Sequence, residues 1–257
     1  MVNIIQAIIL GIVQGITEWL PISSSGHLAI FHKFMDIESS VFFDMILHLG
    51  TILVVIFYYR DEIFKIIKSV IRLDFKDEYF KLFFFLFVGS IPIGIFGFFV
   101  SGYIDGISSN LFYVGFALIF TGLVLIGTKK KKEKKDLTLL SSILIGIVQA
   151  LAVFPGVSRS GMTISTGMYL GIKKEKVAMF SFLLSIPAIL GANVYLFIKN
   201  GVGSEPLSSM VLGFLSSAII GYITLKFLVK IINNDGFHKF SYYCFALGIL
   251  ILIISFF

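Results

Sequence analysis

Long apolar runs dominate the chain, and its polar residues gather in short stretches between them. Six runs, near 41–59, 80–101, 111–128, 177–198, 207–229 and 240–257, are long enough to cross a hydrocarbon layer of about 30 Å at about 1.5 Å per helical residue. They are continuous rather than alternating, which predicts helices and not the short zigzag strands of a membrane barrel. Two further apolar regions, 4–20 and 139–154, end in breaks: Pro21-Ile22-Ser23-Ser24-Ser25-Gly26-His27 and Pro155-Gly156-Val157-Ser158-Arg159-Ser160-Gly161. Broken backbone inside a bilayer is tolerated only where protein buries it or where it lines a wet cavity. Residues 4–35 and 139–171 therefore predict two re-entrant helical hairpins.

Composition agrees. Hydrophobic residues make up 57% of the 257 and charged ones 14%, against roughly 25% charged in a soluble domain. The expected class is an all-α integral membrane protein, with no soluble binding module. The net charge of +6 does not point to nucleic acid, because 18 of the 21 Lys and Arg lie in four loop regions: 60–81, 129–135, 173–176 and 226–239. Placing all four in the cytoplasm satisfies the positive-inside rule, provided that 139–171 leaves and re-enters the same face. Residues 62–72 have helical amphipathic spacing and suit the cytoplasmic headgroups. The single cysteine, Cys244, permits no intrachain disulfide. The first apolar stretch follows only Met-Val-Asn, so no cleavable leader is expected.

Shifting the chain by 135 residues superposes Gly11-Ile12-Val13-Gln14 on Gly146-Ile147-Val148-Gln149, and Ser23, Ser25 and Gly26 on Ser158, Ser160 and Gly161. A first repeat, 1–128, and a second, 139–257, joined by a basic linker at 129–138, each contain one re-entrant region and three crossings. Three is odd, so the second copy is expected upside down relative to the first. Such inverted-topology repeats bring their broken helices together near the midplane.

Charged residues in apolar segments cost at least about 2.5 kcal/mol each on insertion scales and mark function. The breaks gather a carboxylate (Glu18, with Gln14 one turn earlier), an imidazole (His27), a guanidinium (Arg159) and the hydroxyls of Thr17, Ser23, Ser24, Ser25, Ser158, Ser160 and Thr163. A guanidinium fork suits phosphate oxygens. Backbone N–H groups freed at Gly156 and Gly161 would cradle an anion. A serine hydroxyl attacks phosphorus when a base is in reach. Glu18 with Gln14 could hold Mg²⁺ or Ca²⁺. Capping of helix ends by the serines, and a structural Glu18–Arg159 pair, are the plainer readings. Asp44 and His48, one turn apart at the start of a crossing, read best as helix-end capping.

Gln14-x-x-x-Glu18 with Pro21–His27, followed by Pro155–Thr163, resembles the two signatures of the bacterial undecaprenyl-diphosphate phosphatase family, which is also named for bacitracin resistance. The resemblance covers essentially the whole chain. It implies hydrolysis of a polyprenyl diphosphate lipid, undecaprenyl diphosphate, to the monophosphate and inorganic phosphate. That reaction recycles the carrier for wall polymers and gives bacitracin tolerance, with the site facing the outer leaflet of the cell membrane. It also implies six transmembrane helices plus re-entrant helices, and support by a divalent metal. The family motif accepts Glu or Gln at position 14; Gln14 cannot act as a second carboxylate base, which shifts weight to Glu18. The expected catalytic set is Glu18, Ser24, His27 and Arg159, with Gln14, Ser23, Ser25, Gly156, Ser158, Ser160 and Thr163 binding substrate. A lipid-phosphate transporter using the same site is the alternative, and a homodimer stays open.

Overall fold

The computed structural model describes residues 2–37, 41–108, 110–129 and 135–255. Eleven α-helices occupy them: α1 (Ile4–Thr17), α2 (Ser24–Phe34), α3 (Val41–Tyr58), α4 (Arg60–Ile71), α5 (Glu78–Ser108), α6 (Leu111–Ile126), α7 (Leu139–Ala150), α8 (Arg159–Tyr169), α9 (Lys174–Asn200), α10 (Leu207–Asn233) and α11 (Phe240–Ile254). Among the described residues the only strand-like pairing is one parallel bridge between Lys135 and Ile172. The all-helical class is as expected.

Five of the six expected crossings are helices long and apolar enough to span a membrane: α3, the Glu78–Val100 part of α5, α9, α10, and α11 with the short turn before it. The sixth, α6, has 16 residues, about 24 Å of helix, and falls short of that length. The expected breaks separate α1 from α2 and α7 from α8. Residues 130–134 of the expected linker lie outside the described residues.

The two halves open alike. Asn3 starts α1 with a capping box to Gln6, and Thr138 starts α7 with one to Ser141. Each of these helices then packs on a long helix of the other half, α1 along α10 and α7 along α5. Small residues allow the approach: a Cβ on Gly11 would sit 2.5 Å from the Gly213 carbonyl oxygen, and one on Gly146 would strike the Gly89 carbonyl. Between apolar helices in lipid, such close van der Waals contact takes over much of the work that hydrophobic burial does in water. α3 lies against α9 and α10, and α6 lies along α11.

The amphipathic helix expected at 62–72 is α4. It buries Ile66 and Ser69 and exposes Phe64, Ile67 and Ile71 beside Lys65 and Lys68. Between the helices, Asp136 pairs with Lys176 at 2.9 Å and with Lys173 at 3.6 Å, and Lys174 reaches Asp235 at 2.7 Å. The Lys176 hydrogen bond, and then the charge of Lys173, hold the Asp136 carboxyl below the usual aspartate value. The largest buried cluster contains Trp19, Phe180, Phe182, Ile164 and Tyr59, and it backs the first break.

Candidate active site

Each break is built by one serine. α1 stops at Glu18, and a turn through the fully buried Trp19 leads to Ser23, which takes a left-handed φ of 70°. That conformation costs a non-glycine residue roughly 1–2 kcal/mol. It lets the Ser23 hydroxyl accept from Gly26 N at 3.3 Å, capping α2, and from Gly156 N at 3.1 Å in the other break. Ser158 caps α8 the same way, accepting from Gly161 N at 3.1 Å. Gly156, at φ +95°, has no room for a side chain, because a Cβ would lie 2.6 Å from the Ala117 Cβ on α6. From the same helix, Thr121 donates to the Gly156 carbonyl at 3.0 Å and accepts from Ser158 N at 3.1 Å. The breaks touch: a Cβ on Gly26 would sit 3.1 Å from Gly156 Cα.

Glu18 is the hub of this junction. Its Oε1 accepts from Arg159 Nη2 at 2.6 Å. Its Oε2 accepts from Ser24 Oγ at 2.6 Å and from Gln14 Nε2 at 3.1 Å. His48 Nε2 stands 3.8 Å from the same Oε2. The carboxylate side chain is 5% exposed and the guanidinium 12%, so the pair is nearly withdrawn from solvent. Arg159 is further held by the Ser181 carbonyl at 3.4 Å and by the Trp19 ring, whose centroid lies 5.7 Å from Cζ. Ser24, Ser25, Arg159, Asp44 and His48 are only partly buried. These groups ring the Glu18 carboxylate or adjoin those that do.

Glu18, Gln14, Ser24 and Arg159 are thus brought together as expected. The other expected residues divide. The N–H groups of Gly156 and Gly161 are not free to cradle an anion, because the Ser23 and Ser158 hydroxyls take them. Capping, the plainer reading, describes both serines. Ser25 Oγ lies 3.3 Å from Ser23 Oγ. Ser160 donates to the Leu20 carbonyl at 3.2 Å and so ties α8 to the first break. Thr163 bonds the Arg159 carbonyl at 2.8 Å and the Ser181 hydroxyl at 2.6 Å, and Thr17 bonds back to the Val13 carbonyl at 2.7 Å. His27 turns elsewhere: Nδ1 meets the Ser23 carbonyl and Nε2 the Tyr243 hydroxyl, both at 2.7 Å. Its described hydrogen bonds do not include Glu18, Ser24 or Arg159.

Sequence reading set His48 aside and did not single out Thr121, Ser181 or Tyr243. The signal for His48 was its place one turn after Asp44 in an apolar run. Asp44, in the first turn of α3, bonds His32 at 3.1 Å and, through its carbonyl, His48 Nδ1 at 2.8 Å, while His48 itself stands beside Glu18.

For a divalent ion the donors fit in part. Gln14 Oε1 is a buried acceptor without a hydrogen-bond partner, on the residue that bonds Glu18. Among the described residues no group of three His, Cys, Asp or Glu could hold a metal unaided. An ion here would need oxygens from substrate or water, a common arrangement for Mg²⁺.

Comparison with known proteins shows the family of the chain. The model of the bacitracin resistance protein BacA family matches residues 7–250. An undecaprenyl-diphosphatase of Korarchaeum cryptofilum is 40% identical over 258 residues, covering 97% of this chain and 98% of its own length. One of Methanosphaera stadtmanae is 40% identical, covering 99% of both chains, and one of Caldicellulosiruptor bescii is 41% identical, covering 96% of both. A match spanning both breaks and almost the entire length settles the kinship: the chain is a multi-pass membrane protein belonging to the BacA family.

Proposed function

We propose that the protein is an undecaprenyl-diphosphatase, hydrolysing undecaprenyl diphosphate to undecaprenyl phosphate and inorganic phosphate. It thereby recycles the lipid carrier for wall synthesis and gives bacitracin tolerance. One observation carries the reading beyond kinship. At the junction of two chain breaks, a serine hydroxyl donates to a carboxylate oxygen while the other oxygen grips a guanidinium.

The chemistry follows from those bonds. The terminal phosphate competes with Glu18 for the Arg159 fork, which neutralises the charge developing on its oxygens. Ser24 Oγ attacks the terminal phosphorus and its proton passes to Glu18 Oε2, as the bond from phosphorus to the bridging oxygen breaks and undecaprenyl phosphate leaves with the electron pair. The departing undecaprenyl phosphate carries that proton away from Glu18, whose freed carboxylate then takes a proton from the water that attacks the phosphoseryl phosphorus; the bond from phosphorus to Ser24 Oγ breaks, Oγ recovers its proton from Glu18, and inorganic phosphate leaves. Gln14 orients Glu18. Ser25, Ser160 and Thr163 line or brace the binding wall. Mg²⁺ or Ca²⁺ held by Glu18 and Gln14 Oε1, together with substrate oxygens, would supply further positive charge to the diphosphate.

We also infer the inverted repeat with two re-entrant hairpins. The 135-residue shift and the reciprocal packing of α1 on α10 and α7 on α5 support it. In that arrangement α3 and α9 start on opposite faces. His48 and Ser181, the seventh residue beyond the start of each, lie about 10 Å inside, which puts the site at depth. The salt bridges of Asp136 and Asp235 fall on the cytoplasmic side, so access from the outer leaflet is the reading we favour.

Purified protein in detergent should release phosphate from undecaprenyl diphosphate. No release, with lipid movement detected only in vesicles, would replace the enzyme with a transporter.

A further inference from the structure

We infer that Tyr243 is a positioning residue for this reaction: its phenol fixes His27, and through His27 the strained Ser23 joint that clasps the two breaks together. The inference rests on the phosphatase reading above.

Hydrogen-bond direction makes the case. The Ser23 carbonyl can only accept, so His27 Nδ1 carries the proton in their 2.7 Å bond. Neutral His27 then has its lone pair on Nε2, 2.7 Å from the Tyr243 hydroxyl, which must donate. The two rings lie nearly parallel, at 10° with centroids 5.7 Å apart. Imidazole orientation is therefore set at both nitrogens. His27 is 5% exposed, so water is a poor substitute for either partner.

Both partners matter for the site because of what Ser23 does. Its left-handed backbone is held from the carbonyl side by His27, and its hydroxyl receives Gly26 N and Gly156 N. The next residue is Ser24, whose hydroxyl must point at Glu18. If His27 is released, the Ser23 peptide loses a brace and the Ser24 hydroxyl loses its aim. The adjacent Cys244 thiol reaches the Pro21 carbonyl at 3.6 Å, so two successive residues of α11 support the first break. α11 lies along α6, whose Thr121 supports the second break. Together these two helices form a backstop behind both interruptions.

Three variants test this: Tyr243→Phe, His27→Asn and the double variant, with Tyr242→Phe as a control on the neighbouring tyrosine, exposed like Tyr243 itself. Tyr243→Phe should lower kcat about tenfold with KM changed less than twofold, because aim rather than substrate contact is lost. In the His27→Asn background the same change should cost less than twofold, since the hydroxyl acts through the imidazole. A wild-type kcat in Tyr243→Phe, an effect on KM alone, or the same tenfold loss in both backgrounds would overturn the assignment. A structural readout stands beside activity. In protein labelled with nitrogen-15 histidine, the His27 resonances, identified by their loss in His27→Asn, should show a protonated Nδ1 and a hydrogen-bonded Nε2. The Nε2 signal should move in Tyr243→Phe, and an unmoved signal would refute the contact. Absence of phosphate release by the wild type would instead sink the phosphatase reading, and the nitrogen signal would still report on Tyr243.

Discussion

Arg159→Ala removes the guanidinium from a carboxylate that is 5% exposed and 2.6 Å away. Breaking a buried pair from one side leaves the other charge without compensation, at a typical cost of about 3–5 kcal/mol. Here Ser24 and Gln14 still donate to Oε2 and His48 stands nearby, so the lower end, about 3 kcal/mol, is expected. In a chain of this size 1 kcal/mol moves the melting temperature by about 2–4 °C, which predicts a fall near 10 °C. Adding Glu18→Gln to Arg159→Ala removes the stranded charge and should recover at least half of that fall. Activity should not follow. Losing the group that stabilises phosphate charge costs about 10²–10³ in kcat, and losing the base costs more, so the double variant stays inactive while becoming more stable. Thermal unfolding in detergent, read from the fluorescence of the sole tryptophan, Trp19, beside Arg159, pairs with a phosphate-release assay. An Arg159→Ala protein that turns over at near-normal rate, or a double variant no more stable than the single, would refute this account of the site.

Three further outcomes follow from other contacts. Ser24→Ala should lose at least a thousandfold in kcat, whereas Ser25→Ala keeps activity within about tenfold; rapid acid quenching of the wild type should trap phosphate on Ser24, and its absence under single-turnover conditions would favour direct attack by water. His48→Ala should slow turnover about tenfold with a melting temperature within about 2 °C of wild type, because His48 touches Glu18 across 3.8 Å and not through a short bond; an unchanged pH–rate profile and kcat would remove it from the site. Gly11→Val, which drives a branched side chain into the Gly213 carbonyl, should destabilise by about 1–3 kcal/mol or more, and a neutral effect on melting would mean that α1 and α10 are not pressed together.

What the residue order revealed was what lipid forbids. Glu18 and Arg159 stood out because charges do not belong in apolar runs, and Ser24 because it lies in a Pro/Gly-flanked break. Both breaks and the start of every expected crossing were legible for the same reason. The partners were not. His27 finds Tyr243 across 216 positions, and His48 meets Glu18 only because α3 packs beside α1; no periodicity within one helix encodes either. Gly156 looked like a free donor because local sequence cannot show a hydroxyl arriving from 133 residues away. The run 111–128 read as a full crossing because it is apolar throughout, yet its helix ends at Ile126.

Ser24 and Arg159 are the first residues of α2 and α8, and the 135-residue shift that aligns the two breaks lays one on the other. A single architectural address has thus been filled twice, once with a hydroxyl and once with a cation, and both occupants face the two oxygens of one acid. An ancestor assembled from identical halves would have carried the same side chain at both addresses, and so lacked one of these tools. If the chain arose by doubling, as inferred above, division of labour at that address is what would equip the junction to cleave a phosphoanhydride.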